Sequence, residues 1–250
     1  MIKQQASPLS PARGPTMSEE SADTTSTRER QPTNPAALMR HARMSYEEFL
    51  EWADEDTLAE WVDGDVIMAS PASLGHQRIV GFLGGVLAQY VAFRDLGVVI
   101  LPPFQMKMRQ GREPDVLFLA KEHLDRLQAT YLDGPADLVV EVTSPESAGR
   151  DRGDKFYEYA SGGIPEYWLI DPIRRWCEFY RLDEGHYDLV FQGGQGRYNA
   201  HSVPGFWLDV AWLWQTPSPV VEDVLLGIAG ADYANYLLEH LRQRGYLTNE

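Results

Sequence analysis

The chain has 250 residues, with 22 Lys or Arg against 37 Asp or Glu and a formal charge of −15. Hydrophobic residues make up 44% and aromatics 11%, which excludes wholesale disorder and a disulfide-stapled mini-fold. The charge excludes a surface uniformly coated with Lys and Arg for phosphates. A single cysteine, Cys177, excludes an intrachain disulfide and makes a cytoplasmic location the expectation. No stretch of 18 apolar residues occurs, so no membrane is expected among the partners.

Residues 1–43 are rich in Ser, Thr, Pro and charge without a hydrophobic period, and are expected to form a disordered tail. Met44 opens the first organised segment and is a candidate start codon, which N-terminal sequencing of the native protein would check. A domain over 44–215 and a C-terminal helical extension over 216–250 complete the expected organisation. Ser45 with Glu48 forms a capping box for a short helix. Two strand-like runs then flank Asp63-Gly64, a dipeptide that favours a tight hairpin turn. Ile79, Phe82, Leu83, Val86, Leu87, Tyr90 and Val91 have the spacing of a long amphipathic helix ending near Gly97, and Gly81, Gly84 and Gly85 within it permit close packing.

From Val98 the period changes to strands over 98–101, 104–108, 116–120 and 137–143. A helix is expected over 149–161, strands over 166–170, 176–182 and 187–192, and a last helix over 231–244. Such an order is an α/β or α+β domain. Trp207, Trp212 and Trp214 suit core packing or a dimer contact better than a base-stacking platform, and the Gly-rich run 192–197 reads as a hairpin turn.

Two acids interrupt apolar runs. Asp115 precedes Val-Leu-Phe-Leu-Ala120, and Glu141 follows Leu-Val-Val in Asp137–Ser144, where an unpaired carboxylate is costly to bury. If the two runs are neighbouring strands, both carboxylates converge at one end of a sheet and form an oxygen site of the kind Mg²⁺ takes. Asp151, Lys155 and Tyr159 are spaced to share a helix face. On that face Lys155 can help activate or orient a water, or simply pair with Asp151 in solvent. Asp, Glu and Lys around a divalent ion suit phosphodiester hydrolysis.

Glu60-Trp-Val-Asp-Gly64, His76-Gln77, Pro114-Asp115, Glu141-Val-Thr-Ser-Pro145, Asp151-Arg-Gly-Asp-Lys155, Tyr159 and Glu166-Tyr-Trp-Leu-Ile-Asp-Pro172 occur in the order seen in the Uma-two endonuclease family. That family belongs to the restriction-endonuclease-like, PD-(D/E)XK superfamily, and the resemblance covers about residues 44–215. It implies a central mixed sheet flanked by helices, with an N-terminal helix and hairpin and a C-terminal helix. It further implies a Mg²⁺ site that Mn²⁺ can substitute, hydrolysis of DNA by a Mg²⁺-activated water, and a homodimer. Asp115 and Glu141 resemble the metal ligands, with the Val142 carbonyl as a third. Glu60 resembles an additional supporting acid, His76 a phosphate or site contact, and Tyr159 a hydrogen-bonding group of the site. Where the superfamily triplet has its lysine this chain has Thr143, so Lys155 stands in for it, with Lys107 the other candidate.

Acids crowd residues 44–100, whereas Lys107, Arg109 and Arg112 precede Asp115 and Arg150, Arg152 and Lys155 follow Glu141. These cations, Arg112 and Arg152 among them, are expected to support the site or meet a phosphate backbone. Weak nonspecific binding that depends on divalent metal and salt follows from that distribution. Two alternatives stay open: an inactive dimeric binding or assembly module, and a nuclease acting on RNA.

Overall fold

The computed structural model describes residues 43–54, 57–69 and 71–247, so all of the expected tail except Arg43 lies outside the described residues. Helix α1 (Tyr46–Trp52) starts at the Ser45 and Glu48 capping box. Strands β1 (Ala59–Val62) and β2 (Asp65–Met68) form the expected hairpin, turning at Asp63 and Gly64, both with positive φ (49° and 93°), as such a turn requires. Helix α2 (Leu74–Arg94) is capped by Ser73 and ends one turn before the expected Gly97, at the left-handed Asp95. A side chain at Gly84 would come within 2.8 Å of Leu101, so that glycine allows the helix to lie close to the chain that follows it.

Eleven strands follow: β3 (Gly97–Ile100), β4 (Gln105–Lys107), β5 (Gly111–Arg112), β6 (Val116–Ala120), β7 (Tyr131–Asp133), β8 (Leu138–Val142), β9 (Glu166–Asp171), β10 (Trp176–Asp183), β11 (His186–Gly193), β12 (Arg197–Asn199) and β13 (Trp207–Asp209). Between β8 and β9 lie α3 (Ala148–Arg152) and α4 (Asp154–Gly162). The single helix expected over 149–161 is thus broken, because Gly153 (φ −113°, ψ −98°) leaves the helical region. Helix α5 (Val221–Gln243) begins ten residues before the expected Ala231 and kinks at Gly230.

The main sheet has the order β11-β10-β9-β8-β6-β3, antiparallel except for the parallel β8–β9 pair. A smaller sheet, β2-β1-β5-β4-β7, takes in the hairpin, and β12 pairs with β13 in a third, so the described residues form three sheets, the expected mixed one among them. Side chains alternate across the main sheet. Val140, Val142, Trp168, Ile170 and Phe179 face α2 and α5, while Val139, Tyr167 and Leu169 face α4 and, from the small sheet, Met106 and Leu132. Val224, Leu225 and Tyr233 of α5 belong to the same core as α2, so the last helix packs as part of the domain rather than as an appendage. Among the described residues no helix is long and apolar enough to cross a membrane.

Candidate active site

Strands β6 and β8 are antiparallel with Val116 opposite Val140, which sets Asp115 and Glu141 side by side at one end of the main sheet. Asp115 Oδ2 accepts the Val142 N–H at 2.7 Å, and Asp115 Oδ1 lies 3.1 Å from His76 Nε2 in the first turn of α2. Glu141 Oε1 accepts from Lys155 Nζ at 2.9 Å and from the Tyr159 hydroxyl at 2.6 Å. Both donors come from α4, whose i, i+4 spacing points them at the strand together.

Lys155 is the hub. Its ammonium lies 2.8 Å from Glu60 Oε1 and 3.6 Å from Asp151 Oδ1 as well. The solvated Lys155–Asp151 pair considered from the sequence is therefore a buried one, with side chains 6% and 1% exposed. Glu60 is carried in on β1 and fixed by Arg112 on the neighbouring β5, whose guanidinium reaches Glu60 Oε2 at 3.1 Å and grips Glu158 through two further N–H donors. Arg112 is 1% exposed and fully engaged, so it supports the site from behind and offers nothing to a phosphate.

The other candidates fall elsewhere. Lys107 turns its ammonium to the Tyr46 ring and to Glu47, 3.9 Å away, on the α1 side of the small sheet, whereas Lys155 meets Glu141. Arg152 pairs with Glu178 at 3.1 Å and Asp171 at 3.7 Å at the ends of β9 and β10. Arg109 lies 3.7 Å from Asp63. The cations flanking Asp115 and Glu141 in sequence thus do not form one phosphate-facing surface; most are neutralised by local acids.

Two acids enter the site that the sequence reading did not assign to it. Asp151, expected only to share a helix face and pair with Lys155, accepts from Ser147 Oγ at 2.6 Å, while its Oδ1 is buried without a hydrogen-bond partner. Its i, i+4 relation to Lys155 was the available signal. Glu113, between Arg112 and Pro114, accepts from the Ala59 N–H and from Gln105 Nε2, and had no signal of its own.

Electrostatics separate these acids. Burial pushes Glu141 up to about 8; Lys155 opposes this, while Asp151, Asp115 and Glu60 add to it. Burial likewise raises Asp151 and takes Glu113 to about 7. Burial acts upward on Glu60 too, but the cations of Lys155 and Arg112 hold it below the ordinary carboxylate value. For Lys155 burial favours the neutral form, yet Glu141, Glu60 and Asp151 overcome it and keep the ammonium charged. Burial acts downward on His76, and the hydrogen bond and charge of Asp115 raise it above its usual value.

Carboxylates therefore exceed the cations that face them, Asp151 Oδ1 has the Lys155 ammonium at 3.6 Å but no hydrogen bond, and Glu141 holds its proton into the neutral range. Hard oxygen donors with uncompensated charge fit a divalent ion such as Mg²⁺. Among the described residues no three His, Cys, Asp or Glu form a ready-made cage. Mg²⁺ takes one or two carboxylates and keeps several waters, so Asp115 and Glu141 suffice for it.

A mixed sheet covered by helices on both faces, with acids meeting at the ends of adjacent strands, is the architecture of the restriction-endonuclease-like fold. Residues 46–211 match the model of the Uma2 family, described as putative restriction endonuclease, and the chain belongs to that family. A crystal structure of a putative nuclease belonging to DUF820 from Anabaena variabilis superposes with a TM-score of 0.60 at 17% identity. That match covers 68% of this chain and 97% of the other. No curated protein matches the chain.

Proposed function

We propose that the protein is a Mg²⁺-dependent endonuclease that hydrolyses phosphodiester bonds in DNA. The observation that carries this is the buried Lys155 ammonium bridging Glu60 and Glu141, beside Asp115 just before the neighbouring strand β6. Asp115 and Glu141 would hold the ion, with the Val142 carbonyl as the third donor the family resemblance implies and Mn²⁺ as a substitute. When bound, the ion supplies Lewis-acid polarisation of the phosphate and acidifies the attacking water.

The chain's own groups do the rest. His76 and the Val142 N–H fix both Asp115 oxygens, and Tyr159 aims Glu141. Lys155, kept charged by three carboxylates, donates hydrogen bonds and positive charge rather than accepting a proton. It therefore orients the water and offsets charge building on the phosphoryl oxygens. Hydrolysis joins the water oxygen to phosphorus as the in-line P–O bond breaks; the attacking water releases its proton to solvent, and the departing oxygen takes one from solvent.

A cytoplasmic setting agrees with the single, buried thiol of Cys177. The homodimer implied by the family is a separate expectation, measured by sedimentation.

The test is to incubate the purified protein with DNA and RNA in Mg²⁺, Mn²⁺ or EDTA, beside Glu141→Ala. DNA cleavage that needs the divalent ion and disappears in the variant is expected. Equal cleavage by both preparations would mark a contaminant and defeat the reading, and cleavage of RNA alone would move the substrate.

A further inference from the structure

An acidic protein whose reaction centre is itself built from carboxylates must gain its hold on a polyanion elsewhere. Most described cations near the site are already paired with acids. Arg78, in α2, differs. Its guanidinium donates to Thr216 Oγ1 at 3.0 Å and to the Gln215 carbonyl at 2.8 Å, both neutral acceptors, so the group is held in place while its charge stays uncompensated.

Arg78 lines a cleft of about 120 Å³ together with Arg175, Gly75, Pro172 and Trp214. Among the described residues no carboxylate lines this cleft. Arg175 is exposed, stands at the turn between β9 and β10, and has no salt-bridge partner within 4 Å among the described residues. One wall is fixed by the Trp214 indole N–H, which donates to the Gly194 carbonyl at 2.7 Å.

The cleft adjoins the reaction centre. Gly75 precedes His76, whose ring meets Asp115, and Pro172 follows the last residue of β9 at the sheet end where Asp115 and Glu141 stand. Two arginines lining a hollow without an acid among its described lining residues make a recess suited to a phosphate, which Arg engages through its planar fork of donors. Phosphate contacts of this kind fix the register of a nucleic acid without reading its sequence.

We propose that the Arg78–Arg175 cleft is a phosphate subsite that seats one phosphodiester of the nucleic-acid backbone beside the catalytic carboxylates. The inference deepens the proposed function and rests on it for the nature of the ligand.

The experiment measures fluorescence anisotropy of a labelled DNA duplex, and of RNA of the same sequence, with the full chain in EDTA over a salt series. The proteins compared are wild type, Arg175→Gln, Arg78→Lys and Glu141→Ala. Arg175→Gln should weaken DNA binding roughly three- to tenfold and reduce the salt slope by about one. Arg78→Lys, which keeps the charge but loses the fork, should weaken it less. Glu141→Ala should lose cleavage yet bind DNA at least as well as wild type. Unchanged affinity and salt slope in Arg175→Gln overturn the subsite, even if cleavage still depends on Glu141. Binding that needs Arg175 in a protein that cleaves nothing would leave the subsite standing and remove the nuclease reading. Dependence on Arg175 for RNA alone would overturn DNA as the source of the phosphate.

Discussion

Glu141 on β8 and Glu166 on β9 lie on adjacent parallel strands, are both withdrawn from water, and are surrounded in opposite ways. Glu166 points with Trp168 to the α2 face. There it accepts four hydrogen bonds, from the Trp168 indole N–H (2.8 Å), the Tyr198 hydroxyl (2.7 Å) and the N–H groups of His201 (3.0 Å) and Ser202 (2.6 Å). All four donors are neutral at those atoms and the carboxylate is saturated, so it fastens the 198–202 segment to the sheet. Glu141 points to the α4 face, receives two donors, and is crowded by Asp151, Asp115 and Glu60. A buried carboxylate with a full set of donors is a rivet; one with fewer donors, crowded by acids that a single shared ammonium does not offset, is a candidate place for a further cation.

That contrast can be broken from either side. The largest effect belongs to Glu141→Gln, for which DNA cleavage should fall at least about a thousandfold, some 4 kcal/mol of barrier, with the melting temperature kept or raised. Glu166→Ala should do the reverse. Four donors lose their acceptor, stability drops by about 3 kcal/mol in urea titration, and cleavage per folded molecule is retained.

A smaller effect lies in pH. Glu141 holds its proton up to about 8 when folded and near 4.5 when not, so the folded state binds more protons between those values. Its contribution to stability is therefore fully present below about 4.5 and is lost as pH rises through about 8 in metal-free protein. A divalent ion must displace that proton, so Mn²⁺ affinity should rise about tenfold per pH unit up to about 8 and then level off. Smallest is Tyr159→Phe, which removes one donor from Glu141 and should slow cleavage about fivefold, roughly 1 kcal/mol, without changing the fold.

The same contrast explains what the sequence made legible. Strong local signals carried through: the Ser45 cap, the Asp63-Gly64 turn, and the apolar runs whose antiparallel pairing brings Asp115 to Glu141. The i, i+4 face of Lys155 and Tyr159 was readable for the same reason. What could not be read depends on distant partners or on pieces too short to show a period. The two-residue β5 and three-residue β7 are of that kind, and so is the small sheet they help build. Nothing near Arg112 announces that Glu158 and Glu60 will bury it, so it looked like a phosphate contact. Lys155 was the first candidate and Lys107 the alternative, and it is the packing of α4 on β8 and of Lys107 on Tyr46 that sets them apart. The Gly153 break escaped because a glycine within a helical period is often tolerated.

The central claim, that the crowded carboxylates around Lys155 hold a divalent cation while the saturated one does not, is tested most directly by calorimetric titration of Mn²⁺ at slightly alkaline pH. Wild type and Glu166→Gln should show the same saturable binding, and Glu141→Gln should lose it. Indistinguishable titrations in all three proteins would contradict the account.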